Sequence, residues 1–137
     1  MESFNKSLGA GKGCKTVTCV AGDVITAKMV VALDTGATDP ARVIPCTDVL
    51  QPVGIALEAA SAAGALIAVA VSGTVEDVPT DGNVTVGKTL VSDGSSLLTH
   101  YANTSVLLPF ALSLETDDAT PDCDIWLFGV GVENIGY

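Results

Sequence analysis

The sequence predicts an all-β, or mainly β, protein with a compact β-sandwich or barrel-like body. Short runs rich in Val, Ile and Thr follow one another from Lys15 onward, and these residue types favour strands. Turn residues separate the runs, with Asp-Thr-Gly at 34–36, Asp-Gly-Asn at 81–83 and Asp-Gly-Ser at 93–95,. The composition is 48% hydrophobic but only 4% aromatic, which suits thin, closely packed strands better than bulky helices.

Residues 1–14 precede this pattern and are predicted to form an extended amino-terminal arm. They contain Ser, Asn, Lys and Gly without a hydrophobic period, so we expect the arm to be ordered only where a partner holds it. Residues 15–137 are predicted to form one β-rich domain. A chain of 137 residues is long enough for a single domain with a substantial core.

Ten segments of the body are candidate strands, because each is rich in β-branched, aromatic or other apolar residues. They are residues 15–20, 23–33, 41–46, 52–58, 65–78, 83–87, 88–93, 96–101, 105–115 and 124–135. In the last segment Trp126 and Phe128 fall on one face, and Ile125 and Leu127 fall on the other,. Because neither face is polar, this strand is expected at the centre of the structure or in a subunit interface.

A weak internal repeat relates two parts of the body, at about 22–73 and 87–129. Proline, an apolar run and Leu-Glu occur at 52–58 and again at 109–115. A connector of small or polar residues follows each copy, and a strand ending in glycine follows each connector. The body is therefore predicted to contain an internal duplication.

The first connector, at 59–65, is rich in alanine, which favours a helix. The second connector holds Pro121, and proline costs about 3 kcal/mol inside a helix. If the copies share a fold, the first connector is a loop or one short helical turn that leads into a strand. A weaker match, between residues 22–26 and 87–91, extends the repeat upstream of each Leu-Glu element.

The formal charge of −10 argues against binding to nucleic acid or anionic lipid, because like charges repel. Residues 59–75 are uncharged and apolar, but Ala, Gly and Ser contribute little to membrane insertion, and Glu58 and Glu76 bound the segment,. The start of the chain lacks the apolar core of a secretory signal,. We therefore expect no nucleic-acid or membrane partner, and an intracellular origin with reduced thiols.

The histidine and cysteine content favours no catalytic or zinc site. His100 is the only histidine, and no nucleophile motif such as G-x-S-x-G lies near it, so we interpret it as a strand residue without a catalytic role. The four cysteines lack a C-x-x-C pair, which makes small buried core residues the favoured interpretation over zinc ligands. They are Cys14, Cys19, Cys46 and Cys123.

Acidic residues offer two further candidate sites. Four aspartates supply oxygen ligands in a short loop but lack the glycine and terminal glutamate of an EF-hand, which favours a solvated connector. They are Asp117, Asp118, Asp122 and Asp124. Glu58 and Glu115 are possible paired carboxylates, yet their equivalent places in the repeat indicate a duplicated structural role. Residues 9–13 imitate a phosphate-binding loop without its full spacing or a preceding strand. The sequence thus predicts no enzyme, no metal and no cofactor.

Residues 51–60, 65–75 and 86–90 resemble a family of small tailed-phage capsid decoration, or cement, proteins. In that family a "piGvAleaa…V.v.G.v" pattern precedes a "v..Gd.l" element, and the similarity covers roughly the middle half of this chain. The resemblance implies a compact β-rich body, commonly trimeric, on the capsid exterior over junctions between major capsid proteins. It also implies synthesis in the host cytoplasm and offers no catalytic residues. The alanine-rich connector and the lysine-bearing arm depart from the family pattern.

The function expected from the residues and the resemblance together is a structural capsid decoration protein. It would bind the major capsid protein, associate with itself as a homotrimer and stabilise the capsid lattice. The alternative is a β-rich receptor- or carbohydrate-binding virion module, which needs exposed aromatic side chains beside polar groups. Only Trp126, Tyr101 and Tyr137 are available for that role. A small hydrolase is the third class, and it would depend on His100.

Two groups of residues are candidates for partner binding. The arm is suited to adding a strand to the shell, because strand addition forms main-chain hydrogen bonds with little demand on sequence. Its candidate contacts are Phe4, Lys6, Leu8 and Lys12. Trp126 and Phe128 are scarce aromatic residues on an apolar strand, and we predict that they lie in the core or in a trimer contact.

Overall fold

The computed structural model describes residues 13–36, 42–47, 50–101, 108–117 and 121–128. This part of the chain contains nine strands and no helix, which confirms the all-β prediction. The strands are β1 (Cys14–Ala21), β2 (Val30–Leu33), β3 (Arg42–Pro45), β4 (Pro52–Ala56), β5 (Leu66–Pro79), β6 (Thr89–Ser92), β7 (Leu98–His100), β8 (Ala111–Ser113) and β9 (Asp122–Leu127). Among these residues no helix is long and apolar enough to cross a membrane.

Five strands close into a barrel. They are hydrogen-bonded in the order β1-β3-β2-β4-β5, and β1 also pairs with β5. β5 is 14 residues long. Its first part pairs with β1 and β4, and its second part pairs with β9. The sheet therefore continues from the barrel through β5 into β9, β8, β6 and β7, which matches the predicted barrel-like body.

Strand pairing repeats between a first half, residues 14–73, and a second half, residues 73–128. β6 pairs with β7 and β8 as β2 pairs with β3 and β4, and β8 pairs with β9 as β4 pairs with β5. In the second half, the end of β5 and the residue after it take the place of β1. Thr80 forms a parallel bridge to Leu98 of β7, as β1 pairs in parallel with β3 in the first half. The internal duplication is therefore present in the topology, and β5 belongs to both halves.

The hydrogen bonds align Lys28, rather than Gly22, with Gly87. The Lys28 N–H donates to the Ala56 carbonyl oxygen over 2.6 Å. The Gly87 N–H donates to the Ser113 carbonyl oxygen over 3.0 Å. Lys28 and Gly87 both have positive φ angles, 71° and 83°. The sequence match that aligned Gly22 with Gly87 is therefore wrong, because a lysine occupies the left-handed conformation that glycine usually signals.

The alanine-rich connector is a loop, as the repeat predicted. Ile25 and Ala60 exchange two backbone hydrogen bonds of 2.9 Å, which ties the connector to the segment before β2. Gly64 then turns the chain with φ +101°, and β5 begins at Leu66. Residues 83–87 differ from expectation, because the structure has no strand there. They lead into a turn closed by a hydrogen bond from the Lys88 N–H to the Thr85 carbonyl oxygen.

Two clusters of buried residues form the core. The first fills the barrel and consists of Cys19, Ala21, Ile25, Val31, Val43, Ala56, Ala60, Ile67 and Val69. The second is larger and combines residues of both halves. It consists of Val30, Ala32, Cys46, Ile55, Ala70, Val75, Val78, Val84, Leu90, Leu98, Phe110, Ala111, Cys123, Ile125 and Leu127. Because its first five members belong to the first half, this cluster holds the two halves together.

Candidate functional site

A row of four residues crosses neighbouring strands of the second half. Thr74 on β5 pairs with Trp126 on β9, Trp126 pairs with Leu112 on β8, and Leu112 pairs with Thr89 on β6. Directly opposed residues on neighbouring strands project to the same face of a sheet. Trp126, Leu112 and Thr89, together with Tyr101, are called the Trp126 face below. The Tyr101 N–H donates to the Thr89 carbonyl oxygen over 2.7 Å, which places Tyr101 beside Thr89.

The first half contains an equivalent row with the opposite burial. Ala70, Ile55 and Val30 occupy the positions of Trp126, Leu112 and Thr89, because the registers of β4 with β5 and β2 match those of β8 with β9 and β6. These three residues are completely buried and belong to the cluster that joins the halves.

The corresponding face of the second half is open in the part of the chain that the structure describes. The Trp126 side chain is 48% exposed, and Leu112 and Thr89 are half-buried. Trp126 therefore lies outside the core, although β9 is a central strand between β5 and β8, as expected. Cys123, Ile125 and Leu127 alternate with it and fill the interior,. An exposed tryptophan beside apolar side chains such as Leu112 and Phe128 is typical of a contact surface,.

Phe128 supports the tryptophan from the same strand end. The two rings meet edge to face, with centroids 6.3 Å apart and planes at 77°, the geometry that aromatic quadrupoles favour. The Phe128 N–H donates to the Phe110 carbonyl oxygen over 3.1 Å. Phe128 is half-buried, so it positions the Trp126 ring and contributes part of its own surface.

An acidic rim lies beside this face. Asp124 precedes Trp126 by two residues on β9, and its Oδ1 accepts a hydrogen bond from the Asp77 N–H over 3.0 Å. The Glu115 Oε1 accepts one from the Asp124 N–H over 3.1 Å. Partial burial raises the pKa of Glu115, and the negative charges of neighbouring aspartates raise this pKa further against the effect of that hydrogen bond. The rim favours partners that do not carry negative charge at this position.

We expect Glu115→Gln to raise the free energy of unfolding more at neutral pH than at acidic pH. The folded-state pKa of Glu115 lies above its ordinary value of 4.5, so folding favours the protonated form of this carboxyl. Its contribution to the free energy of unfolding is fully present below pH 4.5 and is lost as the pH rises through the folded pKa,. Glutamine keeps an oxygen for the Asp124 N–H and removes the charge. Urea denaturation at pH 7 and at pH 4 measures the difference, and Glu58→Gln is the matched control. An equal effect of Glu115→Gln at both pH values would contradict the prediction.

The two glutamates have equivalent positions. The Glu58 Oε1 accepts a hydrogen bond from the Ala68 N–H over 2.8 Å, as Glu115 does from Asp124. The leucine before each glutamate bonds to the same partner residue as that glutamate. The Leu57 N–H donates to the Ala68 carbonyl oxygen, and the Leu114 N–H donates to the Asp124 carbonyl oxygen. Each glutamate thus fastens its connector to the following strand, which supports the duplicated structural role inferred from the sequence.

Among the aspartates of the 117–124 segment, Asp117 is bonded through its carboxylate to other groups of the protein. The Asp117 Oδ2 accepts hydrogen bonds from the Thr80 hydroxyl (2.6 Å) and from the Val84 N–H (3.0 Å). The Asp117 N–H keeps the backbone bond to the Val84 carbonyl oxygen (3.1 Å), and its carboxylate replaces only the carbonyl oxygen that Ala60 offers to Ile25 in the first half. Asp118 lies outside the described residues. Within the residues that are described, no three His, Cys, Asp or Glu side chains are placed to hold a metal ion.

The histidine and the thiols are not part of the Trp126 face. His100 is exposed at the end of β7, opposite Leu90. Cys19, Cys46 and Cys123 are buried, and Cys14 is half-buried. Burial, followed by nearby carboxylates, raises the pKa of Cys123 to about 12, so its thiol is protonated at neutral pH and is a poor nucleophile.

Four predicted contact residues lie outside the described part of the chain: Phe4, Lys6, Leu8 and Lys12. The same is true of residues 9–12 in the segment that imitates a phosphate-binding loop. Sequence reasoning identified Trp126 and Phe128 but missed Leu112 and Thr89. The repeat contained a signal for Leu112, because this residue aligns with Ile55 across the two Leu-Glu elements. The burial of each aligned residue depends on how the two halves pack together, and comparison of the two repeat sequences does not give that packing.

Comparison with known proteins identifies a similar fold. No family model matches the chain, and no curated protein sequence matches it significantly. The structure is similar to the crystal structure of the head fiber gp8.5 N base of bacteriophage phi29, with a TM-score of 0.60 and 15% sequence identity. The similarity covers 82% of this chain and 92% of that chain. At this identity the two chains share a fold over most of their lengths.

Proposed function

We propose that this protein is a structural component of a phage virion, attached to the head as a capsid decoration protein. The observation that carries the proposal is the fold shared with the phi29 head fiber N base across 82% of this chain and 92% of that chain. The resemblance of residues 51–60, 65–75 and 86–90 to the decoration-protein pattern supports the same role.

The proposed mode of action needs no catalysis. The arm, with Phe4, Lys6, Leu8 and Lys12, adds a strand to the major capsid protein on the capsid exterior. The β body associates as a homotrimer, so that several weak arm contacts act together and stabilise the capsid lattice. The charge of −10 keeps the body soluble and oriented toward solvent, away from the packaged DNA.

Co-sedimentation with phage heads that lack the protein tests the proposal. The full chain should bind saturably, at a fixed ratio to the major capsid protein. Deletion of residues 1–13 should weaken binding by at least roughly tenfold, because the multivalent arm contacts are lost. Far-UV circular dichroism of the deleted chain confirms that the body remains folded. Absence of any binding by the full chain to expanded heads would refute the capsid role.

Recognition of a receptor or carbohydrate is the second candidate function. The observation in its favour is the half-exposed Trp126 beside the carboxylate of Asp124, since aromatic faces next to polar groups stack on sugar rings and bond their hydroxyls. Quenching or shift of the Trp126 fluorescence by host-surface glycans would support this function. The chain contains one tryptophan, so the signal reports on this face alone.

A further inference from the structure

We propose that the Trp126 face binds a second copy of this chain, and that residues 33–36 of that copy, here called the Leu33 turn, make the contact. The inference identifies the contact for self-association. It rests on the internal repeat rather than on the proposed function, so the protein can fail the head-binding test and still associate in this way.

The first step is the way in which the second half covers the first. The Ser92 and Ser96 hydroxyls both donate to the Cys46 carbonyl oxygen, each over 3.1 Å. The Val30 N–H donates to the Ser96 carbonyl oxygen over 3.1 Å, and an antiparallel bridge joins Thr47 to Ser95. The turn at 92–96 therefore lies at the ends of β2 and β3, beside Val30 and Cys46.

The second step is that the Trp126 face has the same construction as the covered face. The Cys46 N–H donates to the Val30 carbonyl oxygen over 2.9 Å. The Tyr101 N–H donates to the Thr89 carbonyl oxygen over 2.7 Å. Since Thr89 occupies the position of Val30, Tyr101 occupies the position of Cys46. The place on which a turn packs in the first half is thus present in the second half, where Tyr101 is half-buried.

The third step is that the first half contains its own copy of the covering turn. Leu33 pairs with Val43 on β3 as Ser92 pairs with Leu98 on β7. After each of these residues an aspartate closes the turn. The Gly36 N–H donates to the Asp34 Oδ1 over 3.0 Å, and the Ser95 N–H donates to the Asp93 Oδ1 over 2.7 Å.

Leu33 is the position at which the two turns differ most. In the covering turn, Ser92 is buried and bonded to the Cys46 carbonyl oxygen. In the Leu33 turn, the leucine side chain is 50% exposed. The Leu33 turn of one copy and the Trp126 face of another are thus both exposed, whereas the covering turn is bonded to the counterparts of Thr89 and Tyr101. Placed in the same relation between two chains, Leu33 lies beside Thr89 and Tyr101, at the β6 edge of the Trp126 face.

This contact uses different surfaces on the two copies. After the first contact one chain keeps an unused turn and the other an unused face, so association continues until a ring closes or a filament forms. A closed ring of three copies is the arrangement that fits the proposed homotrimer. The internal contact supplies the geometry, and apolar packing of Leu33 takes the place of the Ser92 hydroxyl bond.

The single tryptophan makes the contact measurable. Sedimentation equilibrium of the full chain should show a mass that rises with concentration, and the Trp126 emission should shift to shorter wavelength over the same range. Leu33→Asp should weaken association at least roughly tenfold and abolish the emission shift. Its effect on Trp126 must come from another chain, because β4 and β5 separate β2 from β9 in the sheet.

A mixture of two defective variants gives the sharpest result. Trp126→Asp chains keep the Leu33 turn and contain no tryptophan, whereas Leu33→Asp chains keep the Trp126 face. Titrating the first into the second should form a complex of two chains and shift the emission of the Leu33→Asp chain. Leu66→Asp is the matched control, since Leu66 is 68% exposed and belongs to neither surface, and it should associate like the unmodified chain.

Three results would overturn the inference. The first is that the unmodified chain is monomeric at every concentration. The second is that Leu33→Asp associates like the unmodified chain, whereas Trp126→Asp does not associate. In the third result the emission is already that of a buried tryptophan in the monomer, and it shifts to longer wavelength when residues 129–137 are deleted. The chain's own carboxyl-terminal residues would then occupy the face. Circular dichroism of every variant verifies that the fold is retained.

Discussion

Phe110→Ala should lower the free energy of unfolding by about 3–5 kcal/mol, the range typical for truncation of a buried phenylalanine. Phe110 is among the largest completely buried side chains. It belongs to the cluster that combines Ile55 and Ala70 of the first half with residues of the second. Removing the ring therefore leaves a cavity where the halves meet. Urea denaturation followed by circular dichroism measures the loss.

Leu114→Ala is the control for this prediction. Leu114 lies four residues further along the same segment, and 42% of its side chain is exposed. Because folding buries less apolar area at Leu114 than at Phe110, truncation of Leu114 should lower the free energy of unfolding by no more than about 1 kcal/mol. Equal losses for the two variants would show that Phe110 does not hold the halves together.

Gly54→Ala should destabilise the protein by about 3 kcal/mol, the upper part of the range for overpacking. Gly54 lies in β4, where an added Cβ would overlap the Ala70 carbonyl oxygen on β5. The obstructing atom is backbone, so no side-chain rotation relieves the contact. The methyl group should push β4 away from β5 and open the barrel. The midpoint of urea unfolding measures this effect.

Gly36→Ala provides the matched glycine substitution. The nearest atom to an added Cβ at this position is the Asp34 Oδ1 at 3.5 Å, an ordinary van der Waals contact. Gly36 is exposed, so the change should alter stability by less than about 0.5 kcal/mol. Tolerance of alanine at both positions would refute the close approach of β4 and β5 as the reason for glycine at 54.

The shared strand β5 and the common core cluster have a consequence for how the protein responds to force. The two halves cannot separate unless β5 loses its pairing with one of them and the buried cluster opens to water. Both events expose a large apolar area, which is unfavourable. A rigid body of this kind suits the proposed structural role, in which load passes from one attachment point to another.

The sequence alone determined the strand content and the duplication. Alternating Val, Ile and Thr between turn residues specify strands through local preferences, and the Leu-Glu elements at 52–58 and 109–115 identify two related units. It also marked the scarce aromatics of β9. These features are local or depend on comparing two stretches of chain, so no knowledge of distant contacts was needed.

Only the tertiary structure decided which copy of each feature is covered. Ala70 and Trp126 hold equivalent positions, yet Ala70 is completely buried while Trp126 is 48% exposed. The difference arises because the second half covers this face of the first, whereas no described part of the chain covers the equivalent face of the second half. Likewise, Lys28 adopts the left-handed conformation of Gly87 because β2 and β4 pair around it. Burial and register are properties of packed pairs of elements, and a single sequence contains them only implicitly.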